Sequence, residues 1–436
     1  MRRQLAVPRT MGAGVLVGAF LVGALVADQH QSDASSFVGT VTVGRGPAIV
    51  AIDDQRDRAI VLNKTDATVS MIDTAHGTVV RTTRDMVAAT VAVDVSAGHT
   101  FVLSAPPPQP GAWRGMYGQP SPIPWTPPPG FVLVIDTGTG DVVRRVNVGH
   151  GASALAIDAR IGRAFVANSA DDTVSVLDTR SGRVIRTVAV GYGPCAVVVD
   201  EDVGRVFTAN HDDNTVSVLD AWTGSVLRTT PVGSQTQHPI SLVVDAWSNR
   251  VAVGTSSGTN ENGSVTLLNA RTGAALPIGT QNIGLPWLAD DRTGRIFVVS
   301  FYHRALSLLD ARTGAIDGVV RWPHMPTMLD WQHTAAADPR TGLVYITTMD
   351  TTVNVLDGWT GRTVRVLSVG RAPTEIAVAS ATKRVVVANF WGGGARWHDP
   401  WSWLPSWTRQ WLPWLPHPAP PHDDGRGTLS VIDTTR

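Results

Sequence analysis

A single all-β propeller of eight four-stranded antiparallel blades is the fold this sequence predicts, and three observations predict it. The stretch from Gly162 to Gly191, GRAFVANSADDTVSVLDTRSGRVIRTVAVG, is nearly repeated from Gly204 to Gly233 as GRVFTANHDDNTVSVLDAWTGSVLRTTPVG. An Asp-x-x-x-Gly turn recurs at Asp73/Gly77, Asp136/Gly140, Asp178/Gly182, Asp220/Gly224, Asp310/Gly314 and Asp357/Gly361, with Asn269/Gly273 as a variant and a truncated copy at Asp433. A second turn of the same shape precedes it at Asp94/Gly98, Asp158/Gly162, Asp200/Gly204, Asp290/Gly294 and Asp338/Gly342. Units of roughly 40 to 45 residues holding two hairpins are propeller blades, whose apolar faces are covered only by stacking on neighbours.

Within a unit the four strands, A to D, follow from period-2 alternation. Ala164 and Val166 mark one strand, and Val174, Val176 and Asp178 mark the next. Where the second turn lacks glycine, the first and fifth units carry Asp57 and Asn249, the residues that best tolerate a left-handed backbone, so a positive φ is expected there. The Asp that opens each turn can accept hydrogen bonds from backbone N–H groups just beyond it. Blades are expected at about 45–86, 87–149, 150–191, 192–233, 234–284, 285–325, 326–370 and 371–436. The alternative count is seven, should the sixth or seventh copy form no blade of its own.

Residues 37–44, FVGTVTVG, match the end of a unit without its beginning, and the last unit stops before its fourth strand. The segment 37–44 is therefore expected to supply the outer strand of the last blade and to close the ring, which removes two sheet edges. Two units carry insertions between strands B and C: a Pro-rich one at 105–130 and a Trp-rich one at 391–427. Both fall on the face formed by B–C and D–A connections. Ahead of the propeller, Arg2, Arg3 and Arg9 precede an apolar run at 11–27, so residues 1–27 read as a signal peptide or an N-terminal membrane anchor. Residues 28–36 read as a linker, and the flanking charge would send the propeller across the membrane.

The repeat resembles the YVTN-type β-propeller family, which includes YncE-like exported proteins. The resemblance rests on Val166-Ala167-Asn168, Thr208-Ala209-Asn210 and Val387-Ala388-Asn389, on the Thr-Val-Ser-Val-Leu-Asp at 173–178 and 215–220, and on the Val-Gly-x-Gly-Pro tracts at Val43–Pro47 and Val190–Pro194. It implies fold over about residues 37–436. It implies little about activity, since propellers host unrelated functions.

Only Lys64 and Lys383 are lysines, and the formal net charge is zero. That balance does not mark a nucleic-acid protein, because phosphate contacts need clustered Lys or Arg. The single cysteine, Cys195, excludes an internal disulfide and Cys-x-x-Cys-His haem attachment, and it reads as a small buried hydrophobe. No His-Glu-x-x-His, nucleophile elbow or phosphate loop is present, so no catalytic residue, metal or cofactor is expected. Asp171-Asp172 and Asp212-Asp213 read as turn formers.

What departs from the repeat points to binding. His150, Tyr192, His211, His238, Trp287, His303, Trp331 and His333 fall in or beside B–C and D–A connections, at the mouth of the channel, where a propeller builds a ligand site. In the long insertion Trp397, Trp401, Trp403, Trp407, Trp411 and Trp414 either cap the channel or, with Arg409, offer a partner surface. On the opposite face Trp222, Trp247 and Trp359 sit at turn tips and read as solvent-edge packing. The expectation is an exported, non-enzymatic binding or scaffold protein of the cell envelope, recognising an envelope protein or polysaccharide. A propeller enzyme, lactonase-like or quinoprotein-like with a site at the channel mouth, is the alternative, and DNA binding comes third.

Overall fold

The computed structural model describes residues 39–84, 88–104, 127–234, 237–256, 263–277, 283–300, 303, 305–321, 335–348, 351–391 and 426–434. They form eight antiparallel blades in a closed ring, an eight-bladed β-propeller. Blade 3 shows the pattern, with strands Ala152–Asp158, Arg163–Asn168, Thr173–Asp178 and Arg183–Ala189 in sequence order. Strand A is innermost, and each strand A packs against those of the two adjacent blades, which surround the central channel.

Closure follows the expected route. Gly39–Thr42 pairs antiparallel with Thr428–Asp433, Gly39 opposite Val431 and Thr42 opposite Thr428, and so becomes the outer strand of blade 8. Among the described residues blade 5 shows three strands, with a single bridge, Leu268 to Ala275, where strand D begins. Its sequence there, Ala274-Ala275-Leu276-Pro277, lacks the β-branched run seen in Thr78–Thr83 and includes a proline that cannot donate to a ladder.

The turns carry the predicted backbone. Asp57 and Asn249 have φ of 51° and 55°, matching glycine at the same A–B position in five other blades. Lys383 takes the eighth position at φ 56°, without a sequence signal to announce it. In all eight blades the residue at this position accepts a hydrogen bond from the start of the C–D turn, as in Thr179 N to Gly162 O at 3.1 Å. The A–B and C–D turns therefore share one face, here the turn face. The B–C and D–A connections share the other, the loop face, as in Ser169 N to Gly151 O at 3.0 Å.

The YVTN-position asparagines are explained by burial. Asn168 donates through Nδ2 to Thr173 Oγ1 at 3.0 Å and to Ser175 Oγ at 2.9 Å, tying strand B to strand C. Asn63, Asn210 and Asn389 repeat the tie, and Asn389 reaches Thr428 and Ser430 despite the insertion between them. The first glycine of each Gly-x-Gly-Pro tract is required by the same asparagine: a Cβ on Gly44 would stand 2.7 Å from Asn63 and one on Gly191 2.5 Å from Asn210, and Gly149 of the related Gly-His-Gly-Ala stretch meets Asn168 at 2.6 Å.

Apolar packing is concentrated at the seams. Eight buried clusters are present, each joining two adjacent blades, so burial closes the ring as well as filling it. Phe101, Phe165, Phe207, Phe297 and Tyr345 share one strand-B position and are essentially inaccessible. The perimeter is the reverse, with exposed pairs such as Val142-Val143 and Ile185 beside Val184 on the outer strands. These edges are guarded: each outer strand of blades 1–4, 6 and 7 is bulged at an equivalent position, Val80, Val143, Ile185, Leu227, Asp317 and Val364, and blade 2 has a second irregularity opposite Gly130. Arg81, Arg144, Arg186 and Arg228 follow the bulge and lie over Gly140, Gly182, Gly224 and Gly273 of the next blade. Bulge and charge both discourage a foreign strand from pairing.

Candidate functional site

The loop face is built on a bulge in strand A. In seven blades the inner strand skips one residue just after its start, placing Ala48, Ala89, Ser153, Cys195, Ile240, Trp287 and Thr374 beside the channel. Ser153 Oγ donates to Pro194 O at 3.0 Å and Thr374 Oγ1 to Pro47 O at 2.9 Å, each reaching the next blade. Cys195 Sγ makes the equivalent bond to Pro239 O at 3.4 Å. Its thiol, pushed up to about 12 by burial and then by the nearby Asp212, stays protonated and can donate. Cys195 is thus an inter-blade donor rather than only a small apolar filler, and its chemistry is inert.

The paired aspartates hold the connections together, as their turn chemistry suggests. Asp171 accepts from His150 N at 2.7 Å, Asp213 from Tyr192 N at 3.0 Å and Asp66 from Arg45 N at 2.7 Å. Because the contact recurs in blades 1, 3 and 4, it belongs to the scaffold.

Upon that scaffold the structure brings together two of the sequence-predicted site residues. The rings of His211 and His238 stack with centroids 4.6 Å apart at 23°. His238 Nδ1 lies 3.0 Å from His211 O, and a carbonyl only accepts, so Nδ1 carries the proton. His211 Nδ1 lies 2.8 Å from Asp212 Oδ1 and donates to it by the same reasoning. With Nδ1 engaged on each ring, Nε2 is the nitrogen left to meet a ligand. Tyr192, one blade connection away and 57% exposed, adds an open aromatic ring. Its carbonyl accepts from Asp212 N at 3.0 Å, so tyrosine and histidine pair share one backbone frame.

The remaining candidates are placed apart. His150 is paired with Asp171 at 3.0 Å in blade 3. Trp287 is half-buried against the seam of blades 6 and 7, and His303 is exposed in blade 6 with its N–H on Ser300 Oγ at 3.1 Å. Trp331, His333 and the insertion tryptophans from Trp397 to Trp414 lie outside the described residues. Among the described residues no three His, Cys, Asp or Glu side chains gather where they could hold a metal ion.

Charge on this face is divided. The connections at 149–152, 168–173, 190–194, 210–215 and 232–238 contain four aspartates and no Lys or Arg. Blades 8 and 1 contribute Arg45, Lys64, Arg371 and Arg426 on the same face against Asp66 and Glu375. The sector of blades 3 to 5 is rich in hydrogen-bond acceptors, so it suits ligands that bring donors. Sequence reading found its histidines but not their pairing, since residues 27 apart in different blades meet only once the ring is closed.

No protein-family model and no curated protein sequence matches the chain. Solved structures do. A computationally designed protein, Ika8, is 15% identical, with a TM-score of 0.58 over 81% of this chain and 96% of its own. Hydrazine synthase of Kuenenia stuttgartiensis is 13% identical, with a TM-score of 0.47 over 84% of this chain and 96% of its own. The likeness to Ika8 is one of fold.

Proposed function

We propose that the protein is an exported, non-catalytic propeller of the YVTN type that binds a cell-envelope partner through its loop face. The observation that carries this reading is the cluster of Tyr192, His211 and His238. His211 and His238, which the repeat does not require, stack beside the backbone that carries Tyr192, on a sector whose aspartates are already committed to the scaffold. A surface of acceptors beside an exposed aromatic ring fits hydroxyl- or amine-bearing groups, as on an envelope polysaccharide or a basic protein segment. Nothing in the cluster supplies a nucleophile with its base, and the thiol nearby is held protonated.

The test is retention of the full chain on purified envelope polysaccharide, and crosslinking to envelope proteins, compared with a Tyr192→Ala/His211→Ala/His238→Ala variant of unchanged melting temperature. Loss of retention or crosslinking by more than tenfold is expected. Equal recovery of both proteins would remove the sector from the function.

A further inference from the structure

The turn face carries a second surface that the loop-face reading leaves untouched. Its turns are built alike in successive blades, each ending at a residue of positive φ, so equivalent turn positions lie on the same side of the ring. The third residue of the C–D turn is Arg180, Trp222, Arg271, Arg312 and Trp359 in blades 3 to 7, against Ala75 and Gly138 in blades 1 and 2. Trp247 holds the same position in the A–B turn of blade 5. The three indoles are 65%, 54% and 61% exposed for Trp222, Trp247 and Trp359. Each is steadied by a guanidinium from an adjacent blade: Arg163 at 5.4 Å, Arg312 at 5.4 Å and Arg295 at 4.7 Å from the respective ring centres.

Carboxylates do not compete at this level. The aspartates that open the turns accept from backbone N–H groups one layer below, as Asp220 does from Thr223 at 2.8 Å. The acids near the tips are engaged: Asp202 is paired with Arg160 at 2.9 Å, Glu201 and Asp291 accept from Ala159 N and Ala246 N, and Asp317 is paired with Arg295. Five consecutive blades therefore present an outer layer dominated by indole and guanidinium.

The chain also enters the propeller on this side. Strand C of blade 8 runs from Thr428 at the loop face to Asp433 at the turn face, and Gly39 lies opposite Val431 while Thr42 lies opposite Thr428. The described chain thus begins on the turn-face side of blade 8. The apolar run at 11–27 is joined to it by residues 28–38, which when extended reach no more than about 40 Å.

We propose that the turn face of blades 3 to 7 docks on an anionic lipid surface, with Trp222, Trp247 and Trp359 at headgroup level and the tip arginines on lipid phosphates. Exposed indoles spread over successive blades of one face suit an extended surface rather than a groove, and indoles favour the membrane–water interface. Arginine near an anionic surface adds about fivefold in affinity per residue. The loop face would then point away from the bilayer, toward its own partner.

The experiment is co-sedimentation of the full chain with vesicles of phosphatidylcholine alone, or with a third of the lipid replaced by phosphatidylglycerol. An Arg180→Glu/Arg271→Glu/Arg312→Glu variant and a Trp222→Ala/Trp247→Ala/Trp359→Ala variant are run in parallel. Every protein keeps residues 1–38, so their contribution is common to all. The expected result is preference for the anionic vesicles, reduced by at least about a hundredfold in the arginine variant. Equal binding to the two vesicle types, or undiminished binding by the arginine variant, would overturn the proposal. Retention on heparin without vesicle binding would overturn it too, by making the face a site for a soluble polyanion. If the tryptophan variant melts early, an Arg180→Glu/Arg271→Glu variant, which leaves the Arg312 guanidinium over Trp247, decides alone.

Discussion

Lowering the pH from 8 to 5 should stabilise this protein, the reverse of the usual response to acid. The cause lies in the A–B turns, where an aspartate opens the turn at the base of each inner strand in seven blades. Asp53, Asp158, Asp200, Asp245 and Asp290 are all raised above the ordinary carboxyl range, with burial the leading cause in each. In blades 1, 5, 6 and 7 the second carboxylate oxygen is bonded by the side chain three residues on: Arg56, Ser248, Thr293 and Thr341. In blades 2, 3 and 4 that residue is Ala97, Ile161 or Val203, and Oδ2 of Asp94, Asp158 and Asp200 is buried without a partner. Glu201 lies beside this group, accepting from Ala159 N at 3.2 Å. Burial, then Asp158 and Asp94, outweigh that bond and Arg160, and push its carboxyl to about 7. Asp291 is likewise pushed to about 7, by burial and then by Asp245.

A carboxyl whose pKa is raised by folding penalises the folded state while it is ionised. The penalty is complete above pH 7 and is relieved as pH falls from about 7 toward the unfolded value of 4.5. For Glu201 the rise from 4.5 to about 7 corresponds to about 3 kcal/mol at most, and partial solvent access reduces it to about 1–2 kcal/mol. Urea unfolding at pH 8, 7, 6 and 5 measures it. Glu201→Gln retains an acceptor for Ala159 N and removes the charge, so it should be more stable than the parent at pH 8 and nearly equal at pH 5. A parent whose stability is flat or falls between pH 8 and 5, or a variant that follows the parent's slope, would refute the reasoning. Below about pH 4 the trend should reverse. Asp73, Asp178 and Asp220 are held below the ordinary range by backbone and side-chain hydrogen bonds and by Arg58, Arg163 and Arg205, and their stabilisation is lost as they protonate.

Three further outcomes follow from the scaffold. Cys195→Ser should preserve stability, because Ser153 makes the same inter-blade bond, whereas Cys195→Ala should cost about 1 kcal/mol in thermal unfolding, and the native thiol should resist thiol reagents. Asn210→Ala should destabilise by about 2–3 kcal/mol in denaturant titration, since Thr215 and Ser217 lose a buried partner; a loss under 0.5 kcal/mol, near the scatter of ordinary surface changes, would contradict the tie. Deleting residues 37–44 should expose the edge of Thr428–Asp433 and lower the melting temperature, and an unchanged melting curve would rule out the closing strand.

The repeat made most of the fold legible. Turn chemistry foretold the positive φ of Asp57 and Asn249, because only a few residue types tolerate that backbone. Lys383 escaped notice because lysine carries no such signature, and there the eightfold bond from Thr434 N to Lys383 O supplies the constraint. The role of Cys195 was equally hidden, as a strand-A bulge is set by register across two strands and leaves no local pattern. Position in the repeat put His150, His211, His238 and His303 in loop-face connections but gave no means of pairing them, since His211 and His238 are neighbours only through the packing of blades 4 and 5. Trp222, Trp247 and Trp359 were visible as turn-tip residues, while the guanidiniums beneath them come from other blades and needed the ring to be seen.

The most direct test of loop-face recognition is hydrogen–deuterium exchange of the full chain with and without the envelope polysaccharide or crosslinked partner that retains it. The account predicts protection at 190–194, 210–215 and 237–241, with the turn tips of the same blades unchanged. Protection confined to the turn face, or none in blades 3 to 5, would contradict it.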